Sequence, residues 1–217
     1  MLYSMFMFSQ QIAFEKIEKM NSNSDKFLYK VSKDQTSSEF LADLNVQGYS
    51  NNDAEVFKAI YKKAKEVGAN SFSLSPFLNV DGSETPFSQH FYRLALYYTK
   101  LSDIDQNNNQ VYFLNPSEKT VKISYDGKVI SLEPRSYYSI SLEIGKISSV
   151  STRKFLGSGL KLTGNANQPE QFFVVSGSRI QSNPYGTAGI NFKTGDFIPV
   201  ERSYGDFLTT IYHQIQP

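Results

Sequence analysis

Between Asn52 and Gly68 apolar side chains recur at Val56, Ile60, Ala64 and Val67, with Phe57 and Tyr61 beside them. That 3.6-residue period predicts an amphipathic helix over 53–67. Asn52 and Glu55 stand at capping-box spacing, and Gly68 supplies the stop. Lys58, Lys62, Lys63 and Lys65 lie mostly on the rest of the surface. The segments around this helix follow the shorter period of strands. Ile12–Ile17 reads as a strand, with a short helix as the alternative. Asn21–Asp25 is a turn, and Phe27–Val31 is a second strand closing a hairpin. Phe40–Val46 is a third. Asn70–Ser75 alternates polar and apolar as a half-buried strand does. His90–Tyr98 places Tyr92, Leu94, Leu96 and Tyr98 on one face.

The run Asp103–Gln110 is polar and reads as a linker. Beyond it the helical period vanishes until the last dozen residues. Val111–Leu114, Val121–Tyr125, Val129–Leu132 and Tyr137–Leu142 follow at short intervals. Asp126-Gly127 is the preferred pair for a type I′ hairpin turn. Gly145 marks another turn, and Phe155–Leu162 and Phe172–Val175 add strands. Gly177–Ala188 reads as a long loop. Asp206–His213 reads as a short terminal helix with Phe207, Leu208, Ile211 and Ile215 inward. The expected fold class is α+β. A small domain over 11–104, an antiparallel sheet with one main helix, precedes a mostly β sandwich or barrel over 105–217.

Composition agrees with two small cores: 217 residues, 40% hydrophobic, 17 Phe and 14 Tyr but no Trp. Residues 1–105 carry 11 Lys/Arg and 13 Asp/Glu, and the remainder carries 11 and 8. Neither part has the basic footprint that phosphate neutralisation needs, so no nucleic-acid partner is expected. There is no cysteine, which excludes disulfides, thiolate metal sites and cysteine nucleophiles. No run is long enough for a transmembrane helix. Residues 1–10, MLYSMFMFSQ, are apolar and uncharged, and the Ser9-Gln10-Gln11 step resembles the end of a bacterial export signal. With no Lys or Arg before Lys16, the reading is a truncated signal peptide; a buried first strand is the alternative.

Two stretches carry a resemblance. Ala54–Leu74, with KKAKEVGANSFSL at its heart, resembles small bacterial envelope and cytoplasmic α+β domains, some of them labelled putative heavy-metal-binding. No metal ligand carries over, because the stretch has neither Cys nor His. Tyr125–Leu142, YDGKVISLEPRSYYSISL, resembles β modules of bacterial surface proteins of the PEGA kind. With the export-like start, the whole resembles exported bacterial proteins of two small domains. That implies an envelope or secreted location and no particular reaction.

Candidate chemistry is sparse. Ser151-Thr-Arg-Lys154 and Lys193-Thr-Gly195 match fragments of the β-lactamase pattern. Ser151 falls in a strand-like run and no Ser-Asp-Asn follows. His90 and His213 show no metal spacing. His90 is expected as a hydrogen-bonded residue on the Tyr92 face, and His213 at a helix C-terminus. Asp103, Asp105, Asn107 and Asn109 alternate like the start of a calcium loop, but Asn108 and Leu114 replace its glycine and its bidentate glutamate. Glu133, Glu143, Glu170, Asp196, Glu201 and Asp206 could supply a carboxylate pair. Gly157-Ser-Gly159 lacks the context of a phosphate loop. Adjacent aromatics remain: Tyr97/Tyr98, Tyr137/Tyr138 and Phe172/Phe173. One of each pair must face outward, to bind a ligand or to cover a contact between domains.

The expectation is an exported, non-catalytic protein with a binding, adhesion or structural role and no cofactor or metal. Its ligand-binding candidates are Tyr97, Tyr98, Tyr137, Tyr138 and His90, and its partner is an envelope protein or glycan. The alternatives are a small secreted hydrolase with a carboxylate site between its domains, and a cytoplasmic protein.

Overall fold

The structure, a computed structural model of the chain, describes residues 11–35, 37–48, 52–104, 106, 108–152, 158–175 and 197–216. Met1–Gln10, Lys154, Phe155, the Gly177–Ala188 loop, the Lys193-Thr-Gly195 fragment and Asp196 lie outside them. The chain is a mixed α+β protein that divides into two compact units, Met1–Asp105 and Gln106–Pro217.

The first unit contains β1 (Gln11–Ile17), β2 (Tyr29–Lys30), β3 (Glu39–Gln47), α1 (Asp53–Glu66), β4 (Ser71–Ser75) and β5 (Phe91–Tyr98). They form one sheet in the order β1-β3-β5-β4-β2. Phe14, Leu44, Leu94 and Leu74 lie side by side across four strands, and Ala42, Leu96 and Phe72 make the next row. Leu44, Leu94, Ala42, Leu96 and Phe72 of this face are buried, as are Val56, Phe57, Ile60 and Ala64 on α1. The Lys63 ammonium sits 5.1 Å from the Phe14 ring centre, which places the helix over that face.

Both ends of α1 are built by local chemistry. The Asn52 carboxamide accepts from the Glu55 N–H. At the other end Gly68 has φ +74°. Its N–H reaches the Lys65 carbonyl, and the Ala69 N–H reaches that of Ala64, the bond pair of a Schellman motif.

The predicted hairpin of Ile12–Ile17 with Phe27–Val31 does not form. β1 pairs with β3, and β2 pairs in parallel with β4. The intervening Glu18–Leu28 segment is occupied elsewhere. The Asn21 N–H donates to the Val67 carbonyl. Lys65 donates to the carbonyls of Asp25 and Phe27, and the Tyr61 hydroxyl to that of Lys26. The turn therefore wraps the end of α1.

The second unit contains β6 (Gln110–Asn115), β7 (Val121–Tyr125), β8 (Lys128–Leu132), β9 (Ser136–Ser141), β10 (Ile147–Thr152), β11 (Gly159–Thr163), β12 (Gln171–Val175), β13 (Phe197–Val200), α2 (Arg202–Ile211) and β14 (His213–Gln214). They form two sheets, β11-β10-β7-β8 and β13-β12-β6-β9-β14. Val111, Phe113, Tyr138, Ile140 and Val175 of the second share one core with Ile123, Leu132, Val150 and Leu162 of the first. This is sheet-on-sheet packing. The other face of the second sheet, with Tyr112, Leu114, Phe172 and Val174, lies under α2, which contacts β12, β6 and β14.

Between β7 and β8, Asp126 and Gly127 both have positive φ, as a type I′ turn requires. The terminal helix starts earlier than predicted, at Arg202, and ends at Ile211, so His213 and Ile215 lie beyond it. Glu201 caps it by accepting from the N–H and hydroxyl of Ser203. Glu is an uncommon cap, and Gly205 weakens the helical signal of the first turn. Gly205 is there because α2 lies close to β12: a Cβ on it would stand 2.2 Å from Phe172 Cγ.

Candidate functional site

In the first unit β4 ends at Ser75, and Pro76 removes the next backbone donor. The chain then builds a small arm before β5 begins at Phe91. Thr85 N–H donates to the Phe77 carbonyl, Asn79 N–H to that of Ser83, and Leu78 bridges Glu84. At the tip Asp81 accepts from both the N–H and the hydroxyl of Ser83, which holds its carboxyl below the usual range. The arm is ordered by its own hydrogen bonds, yet Leu78 is 65% exposed and Val80 fully so.

Arg93 of β5 ties the base of the arm to the sheet. It lies opposite Ser75, and its Nε donates to Ser75 Oγ at 3.1 Å. Its Nη2 donates to the Pro76 carbonyl at 3.0 Å, and Nη1 meets Glu15 at 3.4 Å. The guanidinium lies 5.1 Å from the Phe77 ring centre, and Phe77 stacks on Phe91 with centres 4.3 Å apart and planes 13° from parallel. Phe87 returns against Tyr92 at 5.7 Å.

These elements line a half-open cavity of about 440 Å³. Leu74, Pro76, Phe77, Pro86, Phe87, Phe91 and Tyr92 give it an apolar wall. Its charged lining is Lys33, Arg93 and Glu84. Lys33 and Glu84 form an exposed ion pair of 2.7 Å between the segment after β2 and the arm. That pairing pushes the Lys33 ammonium up. The volume falls in the usual range for small-molecule sites, and the mix of aromatic wall and few polar groups is also usual.

The same face of the sheet carries Glu15, Asp43, Asn45 and Arg93. Burial, together with repulsion from Glu15 and Glu18, pushes the Asp43 carboxyl up against the pull of Arg93 and Lys16.

A second charged cluster lies in the other unit. Arg202 Nη2 meets Glu170 Oε1 at 2.6 Å, and its Nε lies 3.5 Å from Asp206 Oδ2. Both carboxylates are buried. Glu170 ties the first turn of α2 to the segment leading into β12, while Asp206 meets the guanidinium from within the helix. Tyr112 lies nearby, stacked on Phe172 at 4.7 Å. Burial, then the charges of Glu170 and Asp206, push its hydroxyl far above the ordinary tyrosine range, with Arg202 opposing. Among the described residues no cluster of His, Asp and Glu is arranged to hold a metal. No helix among them is long and apolar enough to cross a membrane.

None of the five residues singled out from sequence lines the cavity. His90 lies in the turn before β5, exposed, with its N–H on Ser88 Oγ and its carbonyl on Gly48 N–H. Tyr97 and Tyr98 are at the far end of the same strand; Tyr97 meets Phe40 edge-on at 5.8 Å. Tyr138 faces the core of the sandwich beside Tyr125. Tyr137 faces the α2 side, with its ring 6.1 Å from that of Tyr112. In Phe172/Phe173 the first lies under α2 and the second against the sandwich core. Alternation thus holds for these two pairs, with both faces of their sheet covered.

Of the calcium-like run, Asp105 and Asn107 lie outside the described residues. Asn109 is a clamp: its Oδ1 accepts from the Asn165 N–H, and its Nδ2 donates to the Asn165 carbonyl. His213 follows α2 in β14 and lies 3.6 Å from Glu133.

The cavity residues between β4 and β5 sit in what reads as a loop. A signal is there: Pro76-Phe77 and Pro86-Phe87 are matched doublets on either side of an Asp-Gly turn. No family model matches the chain, and no curated protein and no solved structure matches it either, so its function is argued from its own residues.

Proposed function

We propose that the chain is a non-catalytic binding protein whose first unit takes a small, mainly apolar ligand in the cavity between the β4 end and the arm. The observation that carries this reading is an aromatic-walled space of about 440 Å³ whose walls are held by protein bonds alone. Arg93 fixes the base, and the Asn79–Ser83 and Asp81–Ser83 bonds fix the arm. A wall that is already ordered binds without the cost of ordering it. The exported location read from MLYSMFMFSQ belongs to the same proposal, with that segment's composition as its support. N-terminal sequencing of protein recovered from its own host tests it, and an intact Met1 defeats it.

The binding role is tested with N-phenyl-1-naphthylamine, a neutral apolar probe whose emission rises out of water. The expected result is saturable uptake of one probe per chain, strongly reduced in Thr85→Trp, which fills the cavity from a lining position. Unsaturable uptake, or equal uptake by the filled variant, overturns it.

A further inference from the structure

We infer that the cavity selects ligands with a carboxylate at one end of an apolar or aromatic body, and that Lys33 receives the carboxylate in exchange for Glu84. The inference rests on the binding role proposed above. Lys33 and Arg93 outnumber Glu84 in the lining, and Glu15, the acid that answers Arg93, lies outside it, so the ions balance in sum while the lining itself is weighted towards the cations. The two cations are not equivalent. Arg93 is committed to Ser75, Pro76 and Glu15 and is stacked on Phe77. It contributes its field and holds the wall. Lys33 reaches Glu84 across the space between two separate segments, and both side chains are more than half exposed. Exposed pairs of this kind are weak and exchange readily. An ammonium has three donors, so an incoming carboxylate can share Lys33 with Glu84 or replace it.

A carboxylate at Lys33 gains a charge-assisted hydrogen bond, while its body lies along Phe77, Phe87 and Phe91. A cationic ligand finds one acid in the lining and two cations beside it. Asp81 does not compete for Lys33, because its carboxylate is held by Ser83 at the arm tip.

The test is displacement of bound N-phenyl-1-naphthylamine by 3-phenylpropionate and by its neutral amide. The acid should bind about tenfold more tightly than the amide, the gain expected of one charged hydrogen bond. Lys33→Gln should remove that advantage, so that acid and amide compete equally, and Glu84→Gln should strengthen the acid several-fold. Equal affinity of acid and amide, or an unchanged acid affinity in Lys33→Gln, overturns anion selection and leaves the binding role standing. Failure of the probe to bind the unaltered protein overturns both.

Discussion

Replacing Gly205 by alanine sets two effects against each other. Alanine is the better helix former by about 1 kcal/mol, so in an exposed helix the change stabilises. Here the new Cβ would stand 2.2 Å from Cγ, 2.4 Å from Cδ1 and 2.7 Å from Cδ2 of Phe172. Carbon atoms rest at roughly 3.5–4.0 Å, so either the ring or the helix must move by more than about 1 Å. The ring has little room to retreat. It is 3% exposed and stacked on Tyr112. Overpacking of this kind costs about 1–3 kcal/mol, and so tight a contact belongs at the upper end. Subtracting the propensity gain leaves a loss of about 2 kcal/mol. For a unit of this size that is roughly a 10 °C fall in Tm. Near-UV circular dichroism reads the melt, because tyrosine provides the signal in a chain without Trp. The double variant Gly205→Ala, Phe172→Leu is the control: with the ring gone, the added methyl should stabilise relative to Phe172→Leu alone. An unchanged or raised Tm for Gly205→Ala would mean that α2 does not sit against β12 as described.

Gly68→Ala faces both a positive φ and a backbone clash, because its Cβ would meet the Asn21 carbonyl oxygen at 1.9 Å. A loss of about 3 kcal/mol in urea unfolding is expected, and a loss below about 1 kcal/mol would refute the packing of the Glu18–Leu28 segment on α1. Tyr112 holds its proton in the folded state well above its unfolded value near 10. Its contribution is therefore complete below about pH 10 and is lost as pH rises towards the folded value. Tyr112→Phe should raise the pH of alkaline unfolding, and absorbance at the phenolate band should show one fewer late-titrating tyrosine. No shift in either would place Tyr112 in contact with solvent.

What the sequence revealed was mostly local. Val56, Ile60 and Ala64 repeat within α1, Asn52 caps it and Gly68 ends it, so all the information lies within one 17-residue stretch. Asp126-Gly127 is equally self-contained. β2 illustrates the opposite case. Its residues favour a strand, but its partner is β4, some 40 positions away, and the choice is made by the wrapping of Asn21–Leu28 around the helix end. The start of α2 was hidden because its cap is Glu201 and its first turn contains Gly205. The glycine makes sense only once Phe172 is known to lie beneath it. The cavity was hidden for a related reason. Prolines and an Asp-Gly turn signal irregular chain, and only the pairing of Ser75 with Arg93 shows that the irregular chain is braced.

The two sheets of the second unit draw on the chain differently, and this governs how the unit can be assembled. β7, β8, β10 and β11 all lie within residues 121–163 and are joined by short antiparallel pairings. The partner sheet needs Val111 beside Gln171 and Ser136 beside His213, both in parallel register across long separations. Local pairings close quickly, while distant ones wait for the chain. On a ribosome the first sheet and the β6–β9 pair can therefore take shape early, but the core they share with Ile123, Val150 and Leu162 stays incomplete until Val175 of β12 and Phe197 of β13 have been synthesised. The last residues of the strand order thus act as the closing step of the fold. Until they arrive, a half-built sandwich presents its core side to whatever else is in solution, and a chaperone would find its binding surface there.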